Sequence, residues 1–259
     1  MYTIAIYFSG HVRNLKDTIA NFKRVFNCEG VIFDYYFTFW KVNHTQSGDS
    51  WKFNNKQNKQ LVPLYDITEA DVYAICPEAK RVKILESYSI PQEYAAYPDF
   101  RICQLYSLYQ SFQDIPDNYD LYVRMRSDLY FFKGIDWKYI LDKRHTHTLF
   151  LPSTVWYTQK NYPTSTLFND FFWVSSYPIA KALASAYTTL LHIPAITPDT
   201  IVERIFQLYC DYLIRLQTPL TLLHCDFDVV LERRSRGFDA NLVETRVYTT
   251  RRLQEGDFV

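Results

Sequence analysis

Two arginines and an aspartate alternate at positions 124, 126 and 128 of this 259-residue chain. They fall at the end of an apolar segment that predicts a strand at 121–125, and alternation at a period of two places strand side chains on one face. Charges at the mouth of a buried strand are costly unless partners compensate them. Arg124 and Arg126 could bind phosphate, and Asp128 could ligate Mg²⁺ or Mn²⁺ bridging a diphosphate. The alternative is a self-satisfied arginine–aspartate bridge.

A second candidate site follows the first apolar segment, residues 2–8. Gly10 lets the backbone approach a ligand, and the helix predicted to begin near Arg13 presents unpaired N–H groups to an anion. Arg13 adds a planar guanidinium that suits phosphate. These features predict an anion site, with a plain strand-to-helix turn as the alternative.

Aromatic residues and a carboxylate form a third group of candidates. Trp40 ends the second predicted strand and could stack on a base or sugar, or could belong to the core. Trp51 and the three rings at 171–173 are the other stacking candidates. Asp170 precedes those rings, whose burial around it would raise its pKa toward the range of a general base, although a helix N-cap or turn is the alternative. Glu203, inside a predicted amphipathic helix, is the reserve carboxylate.

Other possible metal ligands have weaker support. Asp226 and Asp228 form a D-x-D sequence after a predicted strand, and a strand-end turn is the preferred interpretation, with His224 or Asp226 as a possible late ligand. His145 and His147 would share one strand face and could bind metal, but an exposed loop is favoured.

Composition excludes several classes of protein. The closest two of the six glycines, Gly30 and Gly48, are 18 residues apart, so no dinucleotide-binding G-x-G-x-x-G, no P-loop and no glycine-rich methyltransferase loop occurs. The 28 basic and 28 acidic residues balance, which gives no electrostatic reason to expect nucleic acid or an anionic membrane as a partner. Five cysteines without a C-x-x-C pair predict reduced thiols and a cytoplasmic protein, and no signal peptide or membrane span is predicted.

The elements that must position these candidates alternate between strand and helix. Leu15, Ile19, Phe22 and Phe26 are spaced four, three and four, which predicts a helix and hence a parallel βαβ unit around it. Further elements are predicted at the following places: a helix after a capping Thr68, a strand at 81–85, a helix at 100–112, a strand near Leu149, a mixed segment at 170–175, helices at 178–191 and 199–216, and a strand at 220–224.

This alternation predicts an α/β sandwich with a mainly parallel central sheet flanked by helices, in one domain of residues 1–259. The polar segment at 41–60 is either a lid or a disordered insertion. Ligands of open α/β sheets bind beyond the carboxyl ends of the strands, where residues 9–13, 40 and 124–128 are expected to lie.

The strand endings at 8–13 and 38–40, together with Tyr-Asp-Leu-Tyr-Val-Arg-Met-Arg-Ser-Asp-Leu at 119–129, resemble small GT-A-type glycosyltransferases of bacterial polysaccharide loci and large DNA viruses. The resemblance covers about residues 2–175. It implies a GT-A-like, Rossmann-like fold and transfer of a sugar from a nucleoside diphosphate sugar to a glycan acceptor. GT-A enzymes usually carry D-x-D, whereas Arg126 stands here at the first carboxylate position.

The resemblance also implies roles for single residues. Asp128 stands at the position that binds Mn²⁺ or Mg²⁺, and Asp170 faces the acceptor hydroxyl as the catalytic base. The donor part would span about residues 1–135, and the acceptor part about 136–259. A non-catalytic carbohydrate- or nucleotide-binding protein of the same fold is the alternative function. The residues expected to contact the donor are Ser9, Gly10, Arg13, Trp40, Arg124 and Arg126.

Overall fold

The computed structural model describes residues 1–12, 15–41, 66–86, 89–97, 99–152, 171–200, 202–216, 220–225, 229–231 and 246–247. The strands in these ranges are β1 (Tyr2–Gly10), β2 (Val31–Trp40), β3 (Arg81–Leu85), β4 (Leu121–Met125), β5 (Leu129–Phe131), β6 (Thr148–Pro152), β7 (Phe172–Ser175), β8 (Thr221–Cys225), β9 (Val229–Leu231) and β10 (Arg246–Val247). The helices are α1 (Leu15–Val25), α2 (Glu69–Ile75), α3 (Asp99–Phe112), α4 (Trp137–Lys143), α5 (Tyr177–Ala184), α6 (Ala186–Thr189) and α7 (Val202–Arg215).

A seven-stranded sheet forms the centre of the fold, in the order β3-β2-β1-β4-β7-β6-β8. Neighbouring strands are parallel except at β7, which is antiparallel to both β4 and β6. A second, antiparallel sheet has the order β10-β9-β5. The predicted α/β class and largely parallel sheet are therefore found, and the antiparallel β7 and the small sheet are departures from the prediction.

The βαβ unit at the start of the chain is confirmed. β1 and β2 are parallel neighbours, and α1 connects them. Leu15, Ile19 and Phe22 on α1 are buried, as is Phe26 just beyond its end, so the predicted apolar stripe faces the sheet. Gly30 turns the chain into β2 with a φ of +77°, a conformation that glycine adopts without strain.

The core has two layers, one on each face of the central sheet, and β1 contributes side chains to both. Ile4, Ile6 and Phe8 belong to the cluster that includes the apolar face of α1. Ala5 and Tyr7 point the other way, into a cluster with residues of α3, α5 and α7. Helices on both faces are what a parallel strand in the middle of a sheet requires.

The helix boundaries agree with the sequence in part. α2 begins with the predicted cap, in which Thr68 and Asp71 exchange hydrogen bonds between their side chains and backbone N–H groups. The predicted helix at 178–191 is instead two helices, α5 and α6, that meet at Ser185, whose hydroxyl donates to the Lys181 carbonyl at 2.8 Å. Within the described ranges, no helix has the length and apolar character needed to cross a membrane.

Candidate functional site

The carboxyl ends of β1, β2 and β4 lie side by side at one edge of the large sheet. Phe8 pairs with Met125 of β4, and Gly10 pairs with Phe39 of β2. Three sequence segments that are far apart in the chain are therefore neighbours in space. This edge is where ligands bind in open α/β sheets, and we take it as the candidate site.

Arg124 is buried within this edge, with only 2% of its surface exposed. Its Nη1 donates to the Phe171 carbonyl at 3.0 Å, and its Nη2 donates to Ser9 Oγ at 3.2 Å. The guanidinium also lies 5.5 Å from the centre of the Trp173 ring, within cation–π range. Arg124 thus joins the ends of β1 and β4 to the start of β7, and its two described hydrogen bonds go to the protein itself.

Arg126 and Asp128 form a bidentate ion pair. Nε donates to Oδ1 at 2.9 Å and Nη2 donates to Oδ2 at 2.7 Å, which is the geometry of a strong guanidinium–carboxylate pair. The Asp128 side chain has no exposed surface, whereas 13% of the Arg126 side chain is exposed. The alternative of an arginine–aspartate bridge is therefore the arrangement seen, and Arg126 is its outward-facing member.

The backbone that carries this pair is held from three sides. The Arg126 N–H donates to the Phe171 carbonyl at 3.0 Å. Ser127 Oγ donates to the His11 carbonyl at 2.8 Å, and Thr18 Oγ1 donates to the Ser127 carbonyl at 2.7 Å. The turn after β1, helix α1 and the start of β7 therefore fix residues 126–128 together.

Two residues of α1 that support the segment after β4, Thr18 and Asn21, were not predicted from the sequence, although the sequence contains a signal for them. Thr18 and Asn21 are polar residues on the buried face of α1. The Asn21 side-chain amide accepts from the Phe131 N–H and donates to the Phe131 carbonyl, both at 2.8 Å. It therefore satisfies both backbone groups of this β5 residue. Polar side chains on an apolar helix face indicate a buried backbone that needs partners.

Trp40 and Gly10 lie at the site edge in different roles. Trp40 is 9% exposed, and its ring stacks on Tyr106 of α3 with a centroid distance of 6.1 Å, which agrees with the core alternative. Gly10 has a φ of +111°, so the end of β1 needs glycine. Five of the predicted residues and one predicted segment lie outside the described residues: Arg13, Trp51, Asp170, Asp226, Asp228 and the segment at 42–60.

The three rings after Asp170 correct one expectation. Phe171, Phe172 and Trp173 are buried, with at most 1% exposed. Phe171 and Phe172 belong to the core cluster on one side of the sheet and Trp173 to the cluster on the other side, so both faces of β7 are covered and these rings cannot stack on a sugar. Phe171 instead contributes its carbonyl, which accepts from Arg124 and from the Arg126 N–H. Asp170 is the residue that precedes this anchored position.

The described residues do not fit a divalent ion at Asp128. A carboxylate that binds Mg²⁺ or Mn²⁺ must offer an oxygen to the metal, and both Asp128 oxygens accept from Arg126. Among the parts of the chain that the structure describes, no three His, Cys, Asp or Glu side chains come together as a metal-binding group.

A cleft of about 680 Å³ lies at the opposite end of the sheet. Its described lining includes Asp120, Asp142 and His145, of which His145 is one of the weaker metal-ligand candidates, and it includes none of Ser9, Gly10, Trp40, Arg124, Arg126 and Asp128. We place the candidate site at the carboxyl edge instead, because buried charged side chains from β4 and its following turn gather there.

Comparison with known proteins identifies no family for this chain. No protein-family model matches it, and no curated protein matches it. Any function must therefore be inferred from the candidate site and from the motif resemblance.

Proposed function

We propose that this protein is a glycosyltransferase that moves a sugar from a nucleoside diphosphate donor to a glycan acceptor. One observation carries the proposal: the strands of the three segments that resemble GT-A enzymes, at 8–13, 38–40 and 119–129, are β1, β2 and β4, and the carboxyl ends of these strands are neighbours at one edge of the sheet. That edge is also the general ligand position of open α/β sheets. The α/β class and the largely parallel central sheet are consistent with the GT-A-like fold that the resemblance implies.

The donor diphosphate lies in this proposal between the turn at Gly10 and the outward-facing Arg126. The turn precedes α1, whose first N–H groups favour an anion, and Arg13 belongs to the same connection. Arg126 supplies a guanidinium at the other side of the edge. Arg124 and Ser9 support the floor of the site through their mutual hydrogen bond.

Asp170 is the proposed general base. It removes the proton of the acceptor hydroxyl while that oxygen bonds to the anomeric carbon, and the bond from this carbon to the donor phosphate breaks. The nucleoside diphosphate leaves, and the proton stays on Asp170. Support comes from the neighbouring Phe171, whose carbonyl is tied to Arg124 and to the backbone of Arg126.

The test begins with UDP-, GDP- and dTDP-sugars and a panel of glycan acceptors. A donor at 100 times its Kd stabilises the protein by about 2.7 kcal/mol, which thermal unfolding detects, and mass spectrometry detects the glycosylated acceptor. Asp170→Asn is expected to abolish transfer and to keep donor binding. The matched control is Asp142→Asn, an exposed carboxylate on α4, which keeps both. A flat melting profile across all donors sinks the proposal.

A nucleotide- or carbohydrate-binding protein without turnover is the second candidate. The observation that favours it is the bidentate bond between Arg126 and Asp128, which engages the carboxylate at the position where the resemblance implies a metal. Stabilisation by one donor with no product on any acceptor is the result expected of such a protein.

A further inference from the structure

The two partners of the Arg126–Asp128 ion pair, which follows the carboxyl end of β4, differ in exposure to solvent. Asp128 has no exposed side-chain surface, and both of its oxygens accept from Arg126. The Arg126 side chain keeps 13% of its surface exposed. A ligand that approaches the pair from solvent therefore meets the guanidinium, and the carboxylate lies behind it.

The pair is also rigid. Two parallel bonds from Nε and Nη2 fix the plane of the Arg126 guanidinium. The Arg126 N–H and the Ser127 carbonyl are bonded to Phe171 and Thr18, and the Ser127 hydroxyl donates to the His11 carbonyl. A guanidinium held in one orientation binds an anion at a lower entropic cost than a mobile side chain does.

Local charge favours an anion over a cation. The three largely buried charged side chains that the structure describes in β4 and the turn after it, which are Arg124, Arg126 and Asp128, sum to one positive charge. The Asp128 side chain has no exposed surface, so a metal ion that approaches from solvent meets the Arg126 guanidinium first, and separating the partners of a buried pair is strongly unfavourable.

We propose that Asp128 is a positioning residue, which holds Arg126 in the orientation that binds the donor diphosphate, and that it is not a metal ligand. The inference rests on the proposed function, because the diphosphate belongs to a nucleotide-sugar donor. It differs from the role that the motif resemblance implies for Asp128.

The test is a double-mutant cycle on nucleotide binding. Wild type, Arg126→Ala, Asp128→Ala and the double variant are titrated calorimetrically with UDP, GDP and dTDP, once with Mn²⁺ and once with a chelator. Loss of Arg126 is expected to weaken binding roughly 10- to 100-fold, the effect of a hydrogen bond to a charged group. Because Asp128 acts through Arg126, the double variant is expected to bind no more weakly than Arg126→Ala alone.

A metal-ligand role gives the opposite pattern. The two losses would then multiply in the double variant, and the Asp128 variant would lose any difference between Mn²⁺ and chelator; either result overturns the positioning role. If the wild-type protein binds none of the three nucleotides, the proposed function itself fails. The two patterns above overturn only the positioning role of Asp128, so the two failures are distinguishable.

Folding is controlled with a second variant and a kinetic readout. Asp128→Asn keeps the side-chain shape and replaces Asp128→Ala if urea unfolding shows that the alanine variant is not folded. In transfer assays the folded variant is expected to raise the KM for the donor about 10-fold and to keep kcat within about twofold, since the effect is on donor binding. A loss in kcat with unchanged KM contradicts the inference.

Discussion

Arg124 Nη2 donates to Ser9 Oγ at 3.2 Å, across the boundary between the two central parallel strands β1 and β4. The bond joins residues 115 positions apart at the edge where the candidate site lies. Since both side chains are buried, this contact and the bond to the Phe171 carbonyl compensate the desolvation of the guanidinium. The same arginine therefore stabilises the fold and shapes the floor of the site.

Arg124→Met is expected to lower the free energy of unfolding by about 2–3 kcal/mol, because it leaves the buried Ser9 Oγ without its donor and removes one of the two donors to the Phe171 carbonyl. Ser9→Ala is expected to cost about 1 kcal/mol, and less than this in the Met background, because the partner is already lost. Urea denaturation of the cycle measures both values. Arg81→Met is the control, since Arg81 is half exposed and its ion pair with Asp114 contributes at most about 1 kcal/mol. Equal effects at positions 124 and 81 contradict the prediction.

Asn21 is expected to be a second buried anchor. Asn21→Ala removes the acceptor of the Phe131 N–H at 2.8 Å, while Arg24 still donates to the Phe131 carbonyl. An unsatisfied buried N–H group predicts a loss of about 1–3 kcal/mol in the free energy of unfolding. Lys16→Ala, on the exposed side of the same helix, is the matched control and is expected to stay within about 0.5 kcal/mol. Faster hydrogen exchange at Phe131 would locate the effect.

The sequence predicts the frame of the site because local periodicity determines it. Alternation and helical spacing place β1, α1, β2 and β4 in order, and a parallel arrangement brings their ends together. The strand at 81–85 and the cap at Thr68 follow from equally local patterns. These elements depend on interactions between residues that are close together in the sequence, so local patterns predict them.

The parts that depend on distant partners were not predictable. The antiparallel direction of β7 is decided by its pairing with β4 and β6, and the three-residue strand β5 is too short to give a periodic signal. The alternation at 124–128 predicts charged side chains at a strand end. It leaves open whether Arg126 and Asp128 bind a ligand or each other, since that depends on the distance between their side chains.

Gly10 is expected to resist substitution for a backbone reason alone. Its φ is +111°, and a Cβ built there meets no atom within 4 Å, so steric contact with neighbours contributes nothing. Gly10→Ala is expected to cost about 1–3 kcal/mol of unfolding free energy through strain. Gly134 also has open space around a Cβ and lacks the positive φ, so Gly134→Ala is expected to be neutral or slightly stabilising. The same loss in both variants would contradict the prediction, because the positive φ of Gly10 would then make no difference.

Two buried cysteines are expected to be unreactive at neutral pH. Burial is the main cause that raises the pKa of the Cys76 and Cys210 thiols from 9.0 to about 12, and the charges of Glu78 and Asp211, respectively, add to it. Alkylation at pH 8 followed by peptide mass spectrometry is expected to modify the half-buried Cys28 first and these two thiols only after urea unfolding.

The same two thiols are expected to make stability depend on pH in the alkaline range. Because an unfolded thiol ionises near 9.0 and a folded one near about 12, the unfolded state binds fewer protons between these two values. The stability contributed by the neutral thiols is therefore complete below pH 9 and is lost as the pH rises toward 12. Replacing both residues with alanine is expected to reduce that alkaline slope, and an unchanged slope contradicts the assignment.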